Sequence, residues 1–252
     1  MTTQSNGRME RRSMLKDAIL ITGAGQRIGL YLAQQFLAQG DYPVVFTYRT
    51  PRPAVEALIE QGALGIQADF TLEGGLDRFL TQLHEQVASL RAILHNASLW
   101  IGETENEAVD ALALEQMLAV HVTAPYRISR ACHSLLLAAN TSMRDIIALS
   151  DCKVRGGHRD YAAYLSSKAG LESLMQSFAK SFAPAVKVNT IAPGLVMFNE
   201  GDSEAYRKQR LAESAIPVAP GEDVIWQAVQ FLMNSPNSSG STLELGQLKS
   251  EG

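Results

Sequence analysis

The sequence predicts an α/β fold in which a parallel sheet is covered by helices on both faces. From Ala18 onward, short β-branched segments alternate with amphipathic helical stretches, the pattern that builds such a sheet. A length of 252 residues fits one domain of this class, and 46% hydrophobic residues can form its buried core. We therefore expect a single Rossmann-type, doubly wound domain over residues 17–252, preceded by a disordered segment at residues 1–16.

Seven segments have the short, apolar, β-branched pattern of buried strands. In chain order they are AILIT (18–22), PVVFTY (43–48), LGIQ (64–67), AILH (92–95), DIIALS (145–150), VKVNTI (186–191) and STLEL (241–245). Between the first two, Ile28, Leu32, Phe36 and Leu37 recur at helical spacing, and Gly40 can end the helix. These elements predict one complete β-α-β unit.

The least regular part of the chain is the segment 198–224, which is polar with few apolar residues. Long irregular segments in compact domains are often functional loops. We interpret this segment either as a loop or lid over a site, or as a plain surface insertion.

Composition and charge limit the classes of partner. The formal net charge of -4 gives no general attraction to nucleic acid or to an anionic membrane, and no segment has the apolar length of a signal peptide or a membrane span. Cys132 and Cys152 are too few for a disulfide framework, so we expect a reducing compartment, the cytoplasm. The five histidines show no metal-ligand spacing with these cysteines, so no metal site is expected.

A glycine-rich motif, TGAGQRIG, directly follows the first predicted strand and precedes a predicted helix. Glycines in this position let the backbone approach a pyrophosphate, which the helix N-terminus attracts. The spacing is G-x-G-x-x-x-G, so a simple tight turn is the alternative. The position between strand and helix favours a dinucleotide, and the predicted cofactor contacts are Gly23, Gly25, Arg27, Ile28 and Gly29.

The end of the second predicted strand indicates which dinucleotide is bound. NAD-specific proteins place an acidic residue there, whereas this chain has Tyr48, Arg49 and Thr50. Arg49, together with Arg27, can pair with the 2′-phosphate of NADP(H), although each alone could be an ordinary surface charge. We therefore predict NADP(H) as the cofactor.

Two further groups of candidate cofactor contacts follow the third and fourth predicted strands. They are Asp69 and Phe70, and Asn96, Ala97 and Ser98. Ligands of open α/β sheets bind at the carboxyl ends of the strands, where both groups lie.

Tyr164 and Lys168 lie four residues apart at the start of a predicted helix, so one helix face can carry both. A tyrosine with a pKa of about 10 transfers protons poorly at neutral pH, and a nearby ammonium group lowers that pKa. The sequence therefore predicts a phenol activated by a lysine. A solvated surface pair is the alternative interpretation.

The order of these motifs is more specific than any one of them. TGxGxxxG, then NAS, then YxxxK, then PG occur in that order on a β-α frame. This set resembles the short-chain dehydrogenase/reductase family over roughly residues 18–245.

The family resemblance implies roles for several residues. Tyr164 would be the proton donor, and Lys168 would be its partner and a ligand of the ribose. The segment that begins with Pro193 and Gly194 and includes Val196 would lie near the nicotinamide.

One departure from the usual family pattern narrows the resemblance. Asp151 stands thirteen residues before Tyr164, near the position of the usual catalytic serine, and this resembles the pteridine reductase branch. In that branch Ser98 and Trp100 would contact the pterin with Asp151 and Tyr164, while Asp151, Tyr164 and Lys168 would be catalytic. The implied reaction is NADPH-dependent reduction of 7,8-dihydropterins such as dihydromonapterin and dihydrofolate, with hydride added at C6 and a proton at N5.

Other interpretations of the same residues stay open. Asp151 could cap backbone N–H groups or pair with Lys153 or Arg155, and Trp100 could be a packing residue. A carbonyl or 3-oxoacyl reductase would share the cofactor frame, although a serine hydroxyl suits a ketone better than a carboxylate does. A non-catalytic NADP(H)-binding regulator is a third possibility.

Three further features depend on the resemblance. The helices at about 107–140 and after residue 164 resemble the family's tetramer helices, so we expect a homotetramer. His121 replaces an asparagine of the family's proton relay, and Gly246-Gln247-Leu248 replaces a common Asp-Gly-Gly. We expect His121 to rearrange that relay, whereas the carboxyl-terminal replacement has no predicted consequence.

Overall fold

A computed structural model describes residues 13–246 and contains a single parallel sheet with the strand order β3-β2-β1-β4-β5-β6-β7. The strands are β1 (Ala18–Ile21), β2 (Val44–Tyr48), β3 (Leu64–Gln67), β4 (Leu90–His95), β5 (Asp145–Leu149), β6 (Lys187–Pro193) and β7 (Thr242–Leu245). Each neighbouring pair is parallel. The predicted seven-stranded Rossmann-type sheet is therefore confirmed.

Helices connect the strands and cover both faces of the sheet. They are α1 (Arg27–Gln39), α2 (Pro53–Glu60), α3 (Gly75–Gln86), α4 (Glu107–Leu118), α5 (Ala124–Ala131), α6 (His133–Leu137), α7 (Ala162–Ser181), α8 (Glu204–Glu213) and α9 (Asp223–Asn234). A π-helical turn, Ala119–Thr123, joins α4 to α5 without a break. Over residues 13–246, no helix has both the length and the apolar character of a membrane span.

Strand alternation explains why the protein has two cores. Successive side chains of a strand point to opposite faces. Leu20 of β1 packs in one core with side chains of α3, α5 and α7, while Ile19 and Ile21 pack in the other with side chains of α1, α2 and α9. Because both faces are covered by helices, the central strands are apolar along their whole length rather than alternating.

A buried ionic cluster ties the amino-terminal ends of three strands together. Asp145 of β5 is fully buried and lies 2.6 Å from Arg91 of β4 and 2.9 Å from Lys187 of β6. Both cations also donate to carbonyl groups at the end of α9. Burial raises the pKa of Asp145 and outweighs the two cations, so the cluster depends on its complete set of partners.

Two expectations about irregular segments differ from the structure. The segment 198–224 is not irregular throughout, because α8 forms within it: Ser203 caps the helix by accepting a hydrogen bond from the Tyr206 N–H. The predicted lead-in at 1–16 falls mostly outside the described residues, but Leu15 is already held by backbone hydrogen bonds to Gln86 and Ala88.

Candidate active site

The predicted cofactor residues lie at the carboxyl edge of the sheet, at the point where the chain order reverses between β1 and β4. Open α/β sheets bind ligands in the crevice at this point. A cavity of about 130 Å³ and a larger one of about 650 Å³ adjoin here and share Gly23, Arg49 and Ser98 in their walls. Their combined volume falls in the range of small-molecule sites.

Every residue predicted to bind cofactor or substrate lines one of these two cavities. The smaller is lined by Gly23, Gly25, Tyr48, Arg49, Thr50, Asp69, Phe70, Ala97 and Ser98. The larger is lined by Gly23, Arg27, Ile28, Gly29, Arg49, Asn96, Ser98, Trp100, Asp151, Tyr164, Lys168, Pro193, Gly194 and Val196. Gly246, the described part of the altered carboxyl-terminal motif, lies beside Gly194; Gln247 and Leu248 are outside the described residues.

The glycine turn is fixed by close packing against the loop after β4. Gly23 has a positive φ of 71°, and a Cβ there would lie 2.6 Å from the Cα of Ala97. A Cβ on Gly29 would lie 2.4 Å from the Asn96 side-chain nitrogen, which donates to the carbonyls of Thr22 and Gly23 at 2.9 Å. These positions therefore require glycine for the fold as well as for access by a ligand.

The geometry fits a dinucleotide phosphate. Gln26 precedes α1 without capping it by its side chain, so the first N–H groups of the helix, directly after the glycine turn, have no side-chain cap. Arg49 and Arg52, both exposed, line the smaller cavity, and within residues 13–246 neither forms a salt bridge. The sequence did not lead us to predict Arg52 as a cofactor contact. Its position just before α2, close to Arg49, could have indicated that role.

The larger cavity also contains an orphaned buried hydroxyl. Ser150 Oγ is buried, lines the wall and has no hydrogen-bond partner among the described residues. A buried polar group without a partner costs free energy, so this hydroxyl is available to a polar ligand.

The three predicted catalytic side chains meet in the larger cavity. Asp151 Oδ2 lies 3.5 Å from the Tyr164 hydroxyl, at the outer limit of hydrogen bonding, while Asp151 Oδ1 accepts from the Lys153 N–H at 2.8 Å. The aspartate therefore caps a short 3-10 turn, Cys152–Val154, and faces the phenol as well. Lys168 Nζ donates to the Leu149 carbonyl at 2.8 Å and lies 5.8 Å from the centre of the Tyr164 ring.

The electrostatics of the phenol differ from the sequence expectation. Burial raises the pKa of Tyr164 well above its ordinary value, and the negative charge of Asp151 raises it further. Burial also lowers the pKa of Lys168 to about 8. The expected lowering of the phenol pKa by Lys168 is therefore wrong for this arrangement, and the phenol of Tyr164 is neutral at physiological pH.

His121 is buried behind the phenol in a hydrogen-bonded chain. The Leu99 N–H can only donate, so its 3.2 Å contact makes Nε2 of His121 an acceptor, which Ser98 Oγ also contacts at 2.9 Å. Nδ1 then carries the proton and donates to Ser167 Oγ at 2.8 Å, and Ser167 donates to the Tyr164 carbonyl at 2.6 Å. Burial, and then the charge of Lys168, lower the pKa of His121 to about 2, which keeps this ring neutral.

Several residues of the larger cavity were not singled out from the sequence. They include Lys153, Tyr161, Tyr206 and Arg210. They come from the 3-10 turn, the start of α7 and helix α8, and no sequence motif connects those segments. Among residues 13–246, no group of three or more acidic, histidine or cysteine side chains could hold a metal ion.

Comparison with known proteins finds relatives that match over most of the chain. A dihydromonapterin reductase from Klebsiella pneumoniae is 45% identical over 222 residues, which cover 88% of this chain and 92% of that protein. An Escherichia coli protein of the same name is 43% identical over 228 residues, or 90% and 94% of the two chains.

A solved structure and a family model give the same fold. The FolM alternative dihydrofolate reductase 1 from Brucella canis, solved with NADP, matches with a TM-score of 0.80 at 21% identity, over 92% of this chain and 93% of that one. The sequence model described as short chain dehydrogenase matches residues 17–208. The chain belongs to the short-chain dehydrogenase/reductase family.

Proposed function

We propose that this protein reduces 7,8-dihydropterins to their tetrahydro forms, with NADP(H) as its cofactor. The observation that carries the proposal is the position of Asp151, with its carboxylate facing the Tyr164 hydroxyl beside Lys168. The relatives named dihydromonapterin reductase, at 42–45% identity over most of the chain, support this substrate class.

NADPH bound in these cavities would supply a hydride for C6 of the pterin. The uncapped N–H groups of α1 and the glycine turn would bind the pyrophosphate, and Arg49 and Arg52 would bind the 2′-phosphate. Lys168, held against the Leu149 carbonyl, would bind the ribose hydroxyls, while Pro193, Gly194 and Val196 would contact the nicotinamide.

The remaining chemistry belongs to side chains of the larger cavity. Trp100 is 58% exposed, so its ring is accessible to stack on a flat pterin. Ser98 adds a polar contact at the edge of the pterin. Tyr164, protonated at physiological pH, or Asp151 supplies the proton to N5, and solvent restores it.

The test is the loss of NADPH absorbance with purified protein and four substrates in parallel: dihydromonapterin, dihydrofolate, dihydrobiopterin and a 3-oxoacyl thioester. Turnover of dihydropterins with an inert thioester is the expected result. Fast turnover of the thioester alone would overturn the pterin proposal and favour the carbonyl reductase alternative. No turnover of any substrate, with NADPH bound, would favour the non-catalytic regulator.

We also propose that the protein acts as a homotetramer in the cytoplasm. Apolar side chains on and next to α4 and α5 are exposed, among them Val109, Leu112 and Tyr126, and such faces pack against other subunits. Cys132 and Cys152 are both free thiols, which supports a reducing compartment. Light scattering during size-exclusion chromatography measures the mass; a monomer would contradict the tetramer.

A further inference from the structure

One wall of the larger cavity carries two cations that the proposed reaction does not use. Lys153 comes from the 3-10 turn after β5, and Arg210 comes from helix α8. Tyr161 lies on the same wall, between Lys153 and Trp100. The centre of its ring is 4.9 Å from Lys153 Nζ and 6.0 Å from the centre of the Trp100 ring. The fold thus brings two positive charges next to the aromatic residues that border the substrate space.

Lys153 is unusual because it is a buried cation without an anionic partner. The residue is only 5% exposed, and within residues 13–246 its ammonium group forms no salt bridge. Burial, and then the nearby charge of Arg210, lower the pKa of Lys153. A buried charge normally persists only when it is paired, so this position favours an anion that the chain itself does not provide.

The carboxylates near this wall are engaged elsewhere. Glu213 accepts hydrogen bonds from Gln209 and Arg210, and Asp202 accepts from Asn199. Asp151 is shared between the Lys153 N–H and the Tyr164 hydroxyl. Arg210 is therefore paired with Glu213, whereas Lys153 interacts with Glu213 and Asp151 only at longer range and has no carboxylate of the described residues within salt-bridge distance.

We infer that Lys153 and Arg210 bind an anionic oxygen group on the side chain of the pterin substrate. The inference rests on the proposed dihydropterin reduction and specifies which of its substrates are favoured: pterins whose tail ends in a carboxylate or a phosphate. A benzoyl ring in the tail, as in dihydrofolate, can also pack against Tyr161 and Trp100. Uncharged tails gain none of this attraction.

The test measures kcat/KM for two anionic substrates, dihydrofolate and dihydroneopterin phosphate, and for the uncharged dihydrobiopterin. For each anionic substrate, the ratio of its kcat/KM to that of dihydrobiopterin is compared between variants. In Lys153→Met the ratio for the anionic substrates should fall about tenfold or more, because one partner of a desolvated charge pair is lost. Arg210→Gln should lower the ratio in the same direction. Lys153→Arg keeps the positive charge, so it should retain most of the wild-type ratio.

Glu213→Gln gives a test of opposite sign. This substitution removes the negative charge of Glu213 that lies beside Arg210, so the ratio for anionic substrates should rise. Lys208→Gln is the matched control, because this residue lies on the same helix, is exposed and does not line the cavity. It should leave the ratio unchanged. Melting temperature and NADPH affinity, measured for every variant, separate specific loss from misfolding.

The outcomes distinguish this inference from the proposed function. A fall confined to dihydrofolate assigns the anion as carboxylate, and a fall confined to the phosphate ester assigns it as phosphate. If folded Lys153→Met and Arg210→Gln reduce all three dihydropterins with unchanged ratios, the inference is wrong while the proposed function stands. If the wild-type protein reduces no dihydropterin, both are wrong.

Discussion

His121 Nδ1 donates a hydrogen bond to Ser167 Oγ at 2.8 Å, and this contact connects the π-helical turn to the helix that carries the phenol. Both residues are buried, with exposed fractions of 1% and 0%. Through Ser167 the contact reaches the backbone carbonyl of Tyr164. His121 therefore contacts Tyr164 in two ways: through Ser167 it reaches the backbone, and its ring packs edge-on against the phenol ring with centres 5.6 Å apart.

We expect His121→Leu to lower the free energy of unfolding by about 1–3 kcal/mol, because the Leu99 N–H and Ser167 lose a buried partner. Urea denaturation measures the change. Ser167→Ala and the double variant His121→Leu, Ser167→Ala complete a double-mutant cycle. We expect a coupling energy of about 0.5–1.5 kcal/mol between the two side chains. Simple additivity would contradict a direct contact.

Asp151→Asn should reduce kcat by about a hundredfold or more while NADPH affinity changes little. Asparagine can still accept the Lys153 N–H and cap the 3-10 turn, so this variant removes the charge and keeps the local structure. Asp151→Ala removes both functions and should also lower the melting temperature. Unchanged turnover in Asp151→Asn would restrict the aspartate to capping.

The pH dependence of kcat/KM for NADPH should show a decrease above about pH 8. Burial lowers the pKa of Lys168 to about 8, so the ammonium group is present below that pH and is lost as pH rises through it. Since kcat/KM reports groups of the free protein, this pKa is the relevant one. In Lys168→Arg the decrease should disappear, because arginine keeps its proton over this range. A wild-type profile flat to pH 10 would contradict this role.

Arg49→Gln should lower kcat/KM for NADPH by about tenfold or more and leave kcat/KM for NADH nearly unchanged. The loss corresponds to one charge-assisted contact to the 2′-phosphate, about 1.5–3 kcal/mol. Arg159→Gln serves as the control, since Arg159 is 90% exposed and lines neither cavity. An equal loss with both cofactors would indicate that Arg49 does not read the phosphate.

Arg91→Met should lower the free energy of unfolding by about 3–5 kcal/mol, because it leaves Asp145 buried with one cation instead of two. The double variant Arg91→Met, Asp145→Leu should recover part of that loss, because the buried carboxylate is removed and Lys187 keeps its hydrogen bonds to the carbonyls of Leu232 and Ser235. Denaturant titration measures both. If the double variant recovers none of the stability, the loss in Arg91→Met comes from packing rather than from charge.

The sequence alone determined the seven strands, their alternation with helices, and the order of the glycine turn, Asn96, Tyr164 and Lys168. These features depend on local periodicity and spacing, which a single chain displays directly. The family followed from the same ordered motifs. The later helix α8 was not predicted, because its sequence is strongly polar and none of its residues is buried.

Only the tertiary structure decided which distant residues line the same cavity wall and how burial and neighbouring charges shift their pKa values. Lys153 and Arg210 are far apart in sequence and meet because α8 lies by the turn after β5. Burial, which sequence does not display, reverses the expected direction for the Tyr164 pKa. Electrostatic effects depend on distance and desolvation, and both are set by how the elements pack rather than by which residues they contain.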